Sequence, residues 1–422
     1  MNIIDQVVGQ QKNGLASGID SICSSHPNVL EASIRYKQKT NSHLLIESTS
    51  NQVNQFGGYT GMQPKDFSHF VRNLAKKFHF PENQLSLGGD HLGPLVWQNE
   101  PSNQAMLKAK DLVEAYAQAG YTKIHLDCSM PLGGDAELPL EIVAQRTVFL
   151  VKVAECAAPD PSKLRYIVGS EVPTAGGIKD KEEKLVVTDS DAAAETIDAI
   201  RRAFSRAGLE MAWERVRGLV VQPGVEFGDS KIFDYDREKA KKLSALIDEE
   251  PSLIFEAHST DYQQRNALKA LVEDHFGILK VGPCLTFALR EGLVSLAAIE
   301  AYMQPENNSR LLETLEKTML ENPVYWQRHY HGNQTEERIS RLFSFSDRVR
   351  YYWPIPEVNL AVKKLFHNLN QVQIPLSLLS QFMPAQFQKV REGSLSLNPK
   401  NLVIDKVWDV LEQYGYATNP LT

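Results

Sequence analysis

The strongest constraint on this chain is its rhythm. Eight short apolar runs, each bounded by turn residues, alternate with helical stretches between residues 18 and 282. The runs are GIDSICS at 18–24, LLIES at 44–48, LSLGGD at 85–90 and KIHLD at 123–127. They continue with LRYIVG at 164–169, GLVVQ at 218–222, SLIFEA at 252–257 and GILKVG at 277–282. Residues 66–78, 103–119, 191–207 and 237–248 carry apolar side chains at helical spacing, with Asp66 expected to cap the first of these after Pro64. Strict β-α alternation implies a parallel sheet, and eight units is the number that closes. The fold class read from this is α/β, a (β/α)₈ TIM barrel. An open, doubly wound sheet is the competitor, but no GxGxxG turn follows the first run.

Residues 305–422 break the rhythm. They are mostly helical (310–323, 357–370, 402–414) and interrupted by Pro323, Pro354, Pro356 and Pro375. The expected organisation is therefore a barrel over 1–304 and a helical extension over 305–422 packed against it. The net charge of −7 supplies no basic excess for neutralising a phosphate backbone, so a nucleic-acid partner is not expected. The four cysteines form no CxxC pair, which argues against structural zinc and against a disulfide scaffold. The first residues are polar, and nothing approaches the ~20 apolar residues of a membrane span. No membrane association and a cytoplasmic location are expected.

Chemistry in such a barrel belongs at the carboxyl ends of the strands. Here those ends carry Ser24, then Glu47, Asn51 and Gln52, then Asp90-His91, then Asp127, then Glu171, then Gln222 and Glu226, then Glu256, His258, Ser259 and Asp261, and finally Lys280. One such residue is ordinarily a cap or a loop contact. Eight strands ending this way point to an active site or its relic. His91 and His258, each beside a carboxylate, are the best candidates for metal ligands, with a third from Glu226, Glu171 or Asp127. A divalent ion there, zinc by expectation with manganese or nickel as alternatives, would stabilise the enediolate of aldol or epimerisation chemistry, and Asp90 would move the proton. Lys280 has three readings: a Schiff base, a phosphate contact, or an ion pair with a strand-end carboxylate. His125 reads as a packed barrel histidine. Gly282 with Ser259 falls where barrels form backbone phosphate sites. The SDRVRYYWP run at 346–354 reads as a docking segment in which Arg348 is the residue to test for substrate contact.

Several segments resemble the Z-subunit family of tagatose-1,6-bisphosphate aldolase. They are IESTSNQVNQFGGYTGM at 46–62, LGGDHLGP at 87–94, VQPGVEF at 221–227, FEAHSTDYQ at 255–263, LKVGP at 279–283 and the 346–354 run. The likeness covers nearly the whole chain. It implies a (β/α)₈ fold and a place in galactitol or N-acetylgalactosamine catabolism. It also implies partnership with a catalytic Y-type class II aldolase subunit, and a homo-oligomer is expected. Class II aldolases are more distantly similar: Asp90-His91 and His258-Ser259 match their motifs, while Glu226 stands where they place a third metal histidine. Some proteins resembling the family interconvert fructose 6-phosphate and tagatose 6-phosphate at C4, which makes a phosphorylated ketose the expected substrate.

Overall fold

The computed structural model describes residues 2–169 and 185–418. Eight parallel strands close into a barrel: β1 (Ile19–Cys23), β2 (Leu44–Thr49), β3 (Leu85–Leu92), β4 (Lys123–Leu126), β5 (Arg165–Val168), β6 (Val216–Val221), β9 (Ile254–Ala257) and β10 (Ile278–Val281). A two-stranded antiparallel hairpin, β7 (Glu226–Phe227) with β8 (Ile232–Phe233), follows β6. Closure runs through β1 and β10, where Ile19 pairs with Ile278 and Ile22 with Val281. Every run expected to be a strand is one, and helices lie between successive barrel strands. One detail differs. Gln63, not Asp66, begins the helix Pro64–Lys77, because Pro64 fits the first helical turn and Asp66 accepts the Gln63 N–H at 3.0 Å.

The barrel interior changes character along its axis. At the amino-terminal end, Ile4, Val7 and Val8 of the helix Ile3–Lys12 pack against Ile19, Leu45, Ile167, Val220, Ile254 and Ile278. Side chains two residues apart on a strand share a face. Leu45 is thus followed inward by Glu47, Ile254 by Glu256, and Ile278 by Lys280. An apolar floor gives way to a buried ionic mouth within one residue repeat.

The C-terminal helices pack against this frame. The helix Pro399–Thr418 lies against the helices Pro283–Met303, Arg265–Glu273 and Pro27–Lys39. Its Tyr414 hydroxyl is 2.9 Å from Thr260 Oγ1, and Thr418 O accepts the Gly18 N–H at 3.1 Å. Among the described residues, no helix is long and apolar enough to cross a membrane.

Candidate active site

A cavity of about 790 Å³ opens over the carboxyl ends of the strands. Asp90, His91, His258 and Lys280 line its inner part, and Tyr325, Arg348, Arg350 and Tyr351 line its outer part. At its base lies a buried network of charges, in which Asp90 and Lys280 border the cavity. Lys123, fully buried on β4, is 2.5 Å from Glu47 Oε1 and 2.7 Å from Glu256 Oε2. Lys280 on β10 contacts Glu47 Oε2 and lies 2.5 Å from Asp90 Oδ1. Three carboxylates from β2, β3 and β9 thereby share two ammonium groups from β4 and β10. Burial pulls the Lys280 ammonium toward neutrality, but Asp90 and Glu47 outweigh it and hold its pKa well above the usual lysine value. Of the three readings of Lys280, the ion pair with strand-end carboxylates is the one the structure displays, and a protonated amine offers no lone pair to a carbonyl carbon.

Three imidazoles meet at this network. Ring centroids are 4.9 Å apart for His91 and His258, 5.0 Å for His91 and His125, and 5.3 Å for His125 and His258. His125 is spent on both nitrogens: Nε2 donates to Gly169 O at 3.0 Å, and Nδ1 is 2.8 Å from Asp90 Oδ1. His91 Nδ1 is 2.8 Å from Asp127 Oδ2, which leaves Nε2 for the cavity. Burial opposes a charge on His91, but Asp90 and Asp127 more than offset it and raise its pKa. Burial lowers the His258 pKa to about 4 despite Glu256, so the ring is neutral; its Nε2 bonds Glu256 Oε1 at 2.9 Å, leaving the Nδ1 lone pair. Asp90 is ionised, because His91, Lys280 and His125 overcome the burial that would protonate it. Its Oδ2 is buried with no hydrogen-bond partner and lies 3.8 Å from His91 Nε2.

These residues fit a divalent metal. Asp90, His125, Glu256 and His258 each place a ligand atom within 4.8 Å of the others. Proximity overstates two of them, since His125 is used twice and Glu256 is held by Lys123 and His258. The donor atoms not spent elsewhere are His258 Nδ1, Asp90 Oδ2 and, outside that group of four, His91 Nε2, which lies 3.8 Å from Asp90 Oδ2. Were the two histidines to hold a metal, Asp127 and Glu256 would be the carboxylates that orient them.

The other expected residues are placed as follows. Glu226 is buried on β7, where its Oε1 accepts the Phe227 N–H at 3.0 Å, and it is not part of the ligand-atom group above. Glu171 lies outside the described residues. Ser24, Asn51, Gln52, Ser259 and Gly282 line the cavity, although Gln52 Oε1 is occupied by the Thr49 N–H at 2.9 Å. Asp261 also lines the cavity, and its Oδ1 accepts the N–H groups of Gly282 at 3.0 Å and Cys284 at 2.8 Å. Those amides open the helix Pro283–Met303, so the backbone cradle expected to face a phosphate holds an internal carboxylate instead. Arg348 lines the cavity and also bonds Tyr325 O at 2.9 Å, so lining and docking coincide. His125 is buried, as a packed barrel histidine would be, and has the inward parity of Asp127. Lys123 has the same parity two residues earlier, the one signal in the sequence for its place in the network.

The family model for the D-tagatose-1,6-bisphosphate aldolase subunit, GatZ/KbaZ-like, matches residues 4–419. The chain belongs to the GatZ/KbaZ-like family. A solved structure described as a probable tagatose 6 phosphate kinase from Sinorhizobium meliloti 1021 is 46% identical, with a TM-score of 0.88 over 95% of this chain and 100% of that one. Fructose-bisphosphate aldolase from Campylobacter jejuni aligns at 15% identity and TM-score 0.46, over 88% of this chain and 94% of that one. The YdjI aldolase from Escherichia coli K12 aligns at 13% and 0.41, over 87% and 98%. At those scores neither aldolase carries weight for function. Membership in the GatZ/KbaZ-like family makes this a sugar-phosphate protein related to tagatose-bisphosphate aldolase, with its ionisable cluster in the barrel mouth.

Proposed function

We propose that this protein is a metal-dependent enzyme that inverts C4 of a ketose phosphate, interconverting fructose 6-phosphate and tagatose 6-phosphate by retro-aldol cleavage and re-addition. The observation that carries this reading is Asp90: an ionised, buried carboxylate with one oxygen fixed by Lys280 and His125 and the other unpartnered beside His91. A non-catalytic barrel mouth gains nothing from such a group, because an unsatisfied buried carboxylate oxygen costs stability. His91 and His258 would hold the metal, zinc by expectation, with manganese or nickel as alternatives. When bound, it supplies the Lewis acidity that draws charge toward the ketose carbonyl oxygen.

The proton work belongs to Asp90. Its Oδ2 takes the proton of the C4 hydroxyl as the C3–C4 bond breaks. The electron pair of that bond passes into the C2–C3 unit, and C4 becomes an aldehyde carbon. The cavity gives the freed aldehyde room to present its other face. The bond then re-forms from C3, and Asp90 returns the proton to O4. Lys280 and His125 keep Asp90 pointed at the reacting carbon throughout.

A second reading rests on the family description itself, which names an aldolase subunit. In that role the chain would stabilise a Y-type class II partner, and the two roles are compatible. The test is NMR of the purified chain loaded with zinc, manganese or nickel, given fructose 6-phosphate, tagatose 6-phosphate and both 1,6-bisphosphates. Metal-dependent conversion abolished by Asp90→Asn and by His91→Ala is expected. A folded protein that turns over none of these substrates sinks the stand-alone enzyme and leaves the subunit role.

A further inference from the structure

We propose that Arg348 and Arg350 form the anion subsite of this cavity and that it receives the single phosphate of a ketose monophosphate. The proposal builds on the ketose-phosphate reading above and narrows it to one charged end.

Among the described residues, the lysines at and below the inner cavity are already neutralised: Lys280 at the cavity by Glu47 and Asp90, and Lys123 beneath it by Glu47 and Glu256. The two arginines are different. Both line the cavity, and neither forms an ion pair with a carboxylate among the described residues. Asp347, the acid immediately before them in sequence, is paired instead with Arg290 at 2.9 Å. Arg348 is only 6% exposed, and its Nε is buried with no hydrogen-bond partner. Its one side-chain bond is from Nη1 to Tyr325 O at 2.9 Å. Arg350 is held by the carbonyls of Ser346 and Asp347, with Nη2 3.0 Å from the Tyr351 hydroxyl. Two positive charges two residues apart, with no counter-ion and their positions fixed by carbonyls and a phenol, are set for an anion. A guanidinium pair matches a phosphate because its forked donors meet two oxygens at once.

The same geometry removes the usual alternative. (β/α)₈ barrels often hold phosphate at the loops after the last two strands and a helix N-terminus. Here Asp261 occupies that place and accepts from the Gly282 and Cys284 amides. A second phosphate brought there would face a carboxylate. The substrate therefore carries one phosphate, at the end away from the carbonyl that sits by His91, His258 and Asp90. Sugar bisphosphates are disfavoured.

Calorimetric binding separates this from the turnover question. The titrants are inorganic phosphate, fructose 6-phosphate, fructose and fructose 1,6-bisphosphate, against the wild type, Arg348→Gln and Arg350→Gln, each checked for folding by thermal melting. Fructose 6-phosphate affinity is expected to fall about ten- to a hundredfold in each arginine variant, with fructose unaffected. The bisphosphate should bind no tighter than the monophosphate. Because Arg350 is the more exposed of the two, its variant decides the matter if Arg348→Gln fails to fold. The proposal is overturned if the wild type binds neither phosphate nor fructose 6-phosphate, if Arg350→Gln binds fructose 6-phosphate like the wild type, or if the bisphosphate binds at least tenfold tighter. Arginine-dependent binding without turnover would sink the epimerase reading alone.

Discussion

Lys123 sits at the centre of the buried network with its ammonium between two carboxylates, and nothing near it can reach solvent to compensate for its loss. Burial acts to lower its pKa, but Glu256 and Glu47 prevail and raise it, so it stays charged. Replacing it by Met should leave Glu47 with Lys280 alone and Glu256 with the His258 ring alone, a buried excess of negative charge that costs about 3–5 kcal/mol in urea unfolding. A loss below about 1 kcal/mol would mean that the carboxylates simply take up protons. The histidines make a separate prediction. Asp127 fixes the ring of His91, so Asp127→Ala should weaken zinc binding by roughly 10–100-fold in a competitive chelator titration. Glu226→Gln should change it little, since Glu226 is not among the residues that line the cavity and its Oε1 accepts the Phe227 N–H. The opposite order would restore Glu226 as a ligand. At this scale the sequence was partly legible. Asp90, His91 and His258 announce themselves by residue type at strand ends. The partnerships do not, because Lys123 with Glu256 and Lys280 with Glu47 join residues 133 and 233 positions apart. Asp261 was legible as polar, but not as a group that fills the helix N-terminus beside it.

At the scale of elements, strands were easy to read because every barrel strand is buried on both faces and appears as a continuous apolar run bounded by turns. Helix starts were harder, since the first turn draws on side chains from outside the helix. His26 shows why. Its Nδ1 accepts the Asn28 N–H at 3.1 Å and so caps the helix Pro27–Lys39, a task the sequence pattern assigns to Ser, Thr, Asp or Asn. Partly buried edge-on to Trp353, the ring has its pKa lowered to about 4 by burial. Protonation would destroy the acceptor. The unfolded chain binds this proton below its ordinary value of 6.5, while the native state resists until about 4. Stability should therefore fall as pH drops through that window. His26→Asn, which keeps a cap but does not titrate there, should unfold in urea with a shallower pH slope than the wild type. Equal slopes would count against His26.

For the whole molecule, the C-terminal helix is more than an appendage. The Tyr414 hydroxyl bonds Thr260 Oγ1 and Thr260 O, each at 2.9 Å, one residue from Ser259 and Asp261 at the cavity. Tyr414→Phe should cost about 1–2 kcal/mol of stability. It should also speed amide exchange in the loop after β9, and protection left unchanged there would show that the helix merely covers the barrel. Sequence periodicity found this helix but gave no sign of which barrel elements it meets, because an amphipathic face specifies an apolar neighbour without naming it.

That attachment also has a consequence in time. Thr418 accepts a hydrogen bond from Gly18, at the entrance to β1, some 400 residues earlier in the chain. β1 can find β10 only once Ile278 has been made, and its entrance is secured only once Thr418 has followed. Synthesis proceeds at roughly 5–20 residues per second. The first strand therefore spends tens of seconds with an open edge, a period in which a nascent chain depends on its chaperones.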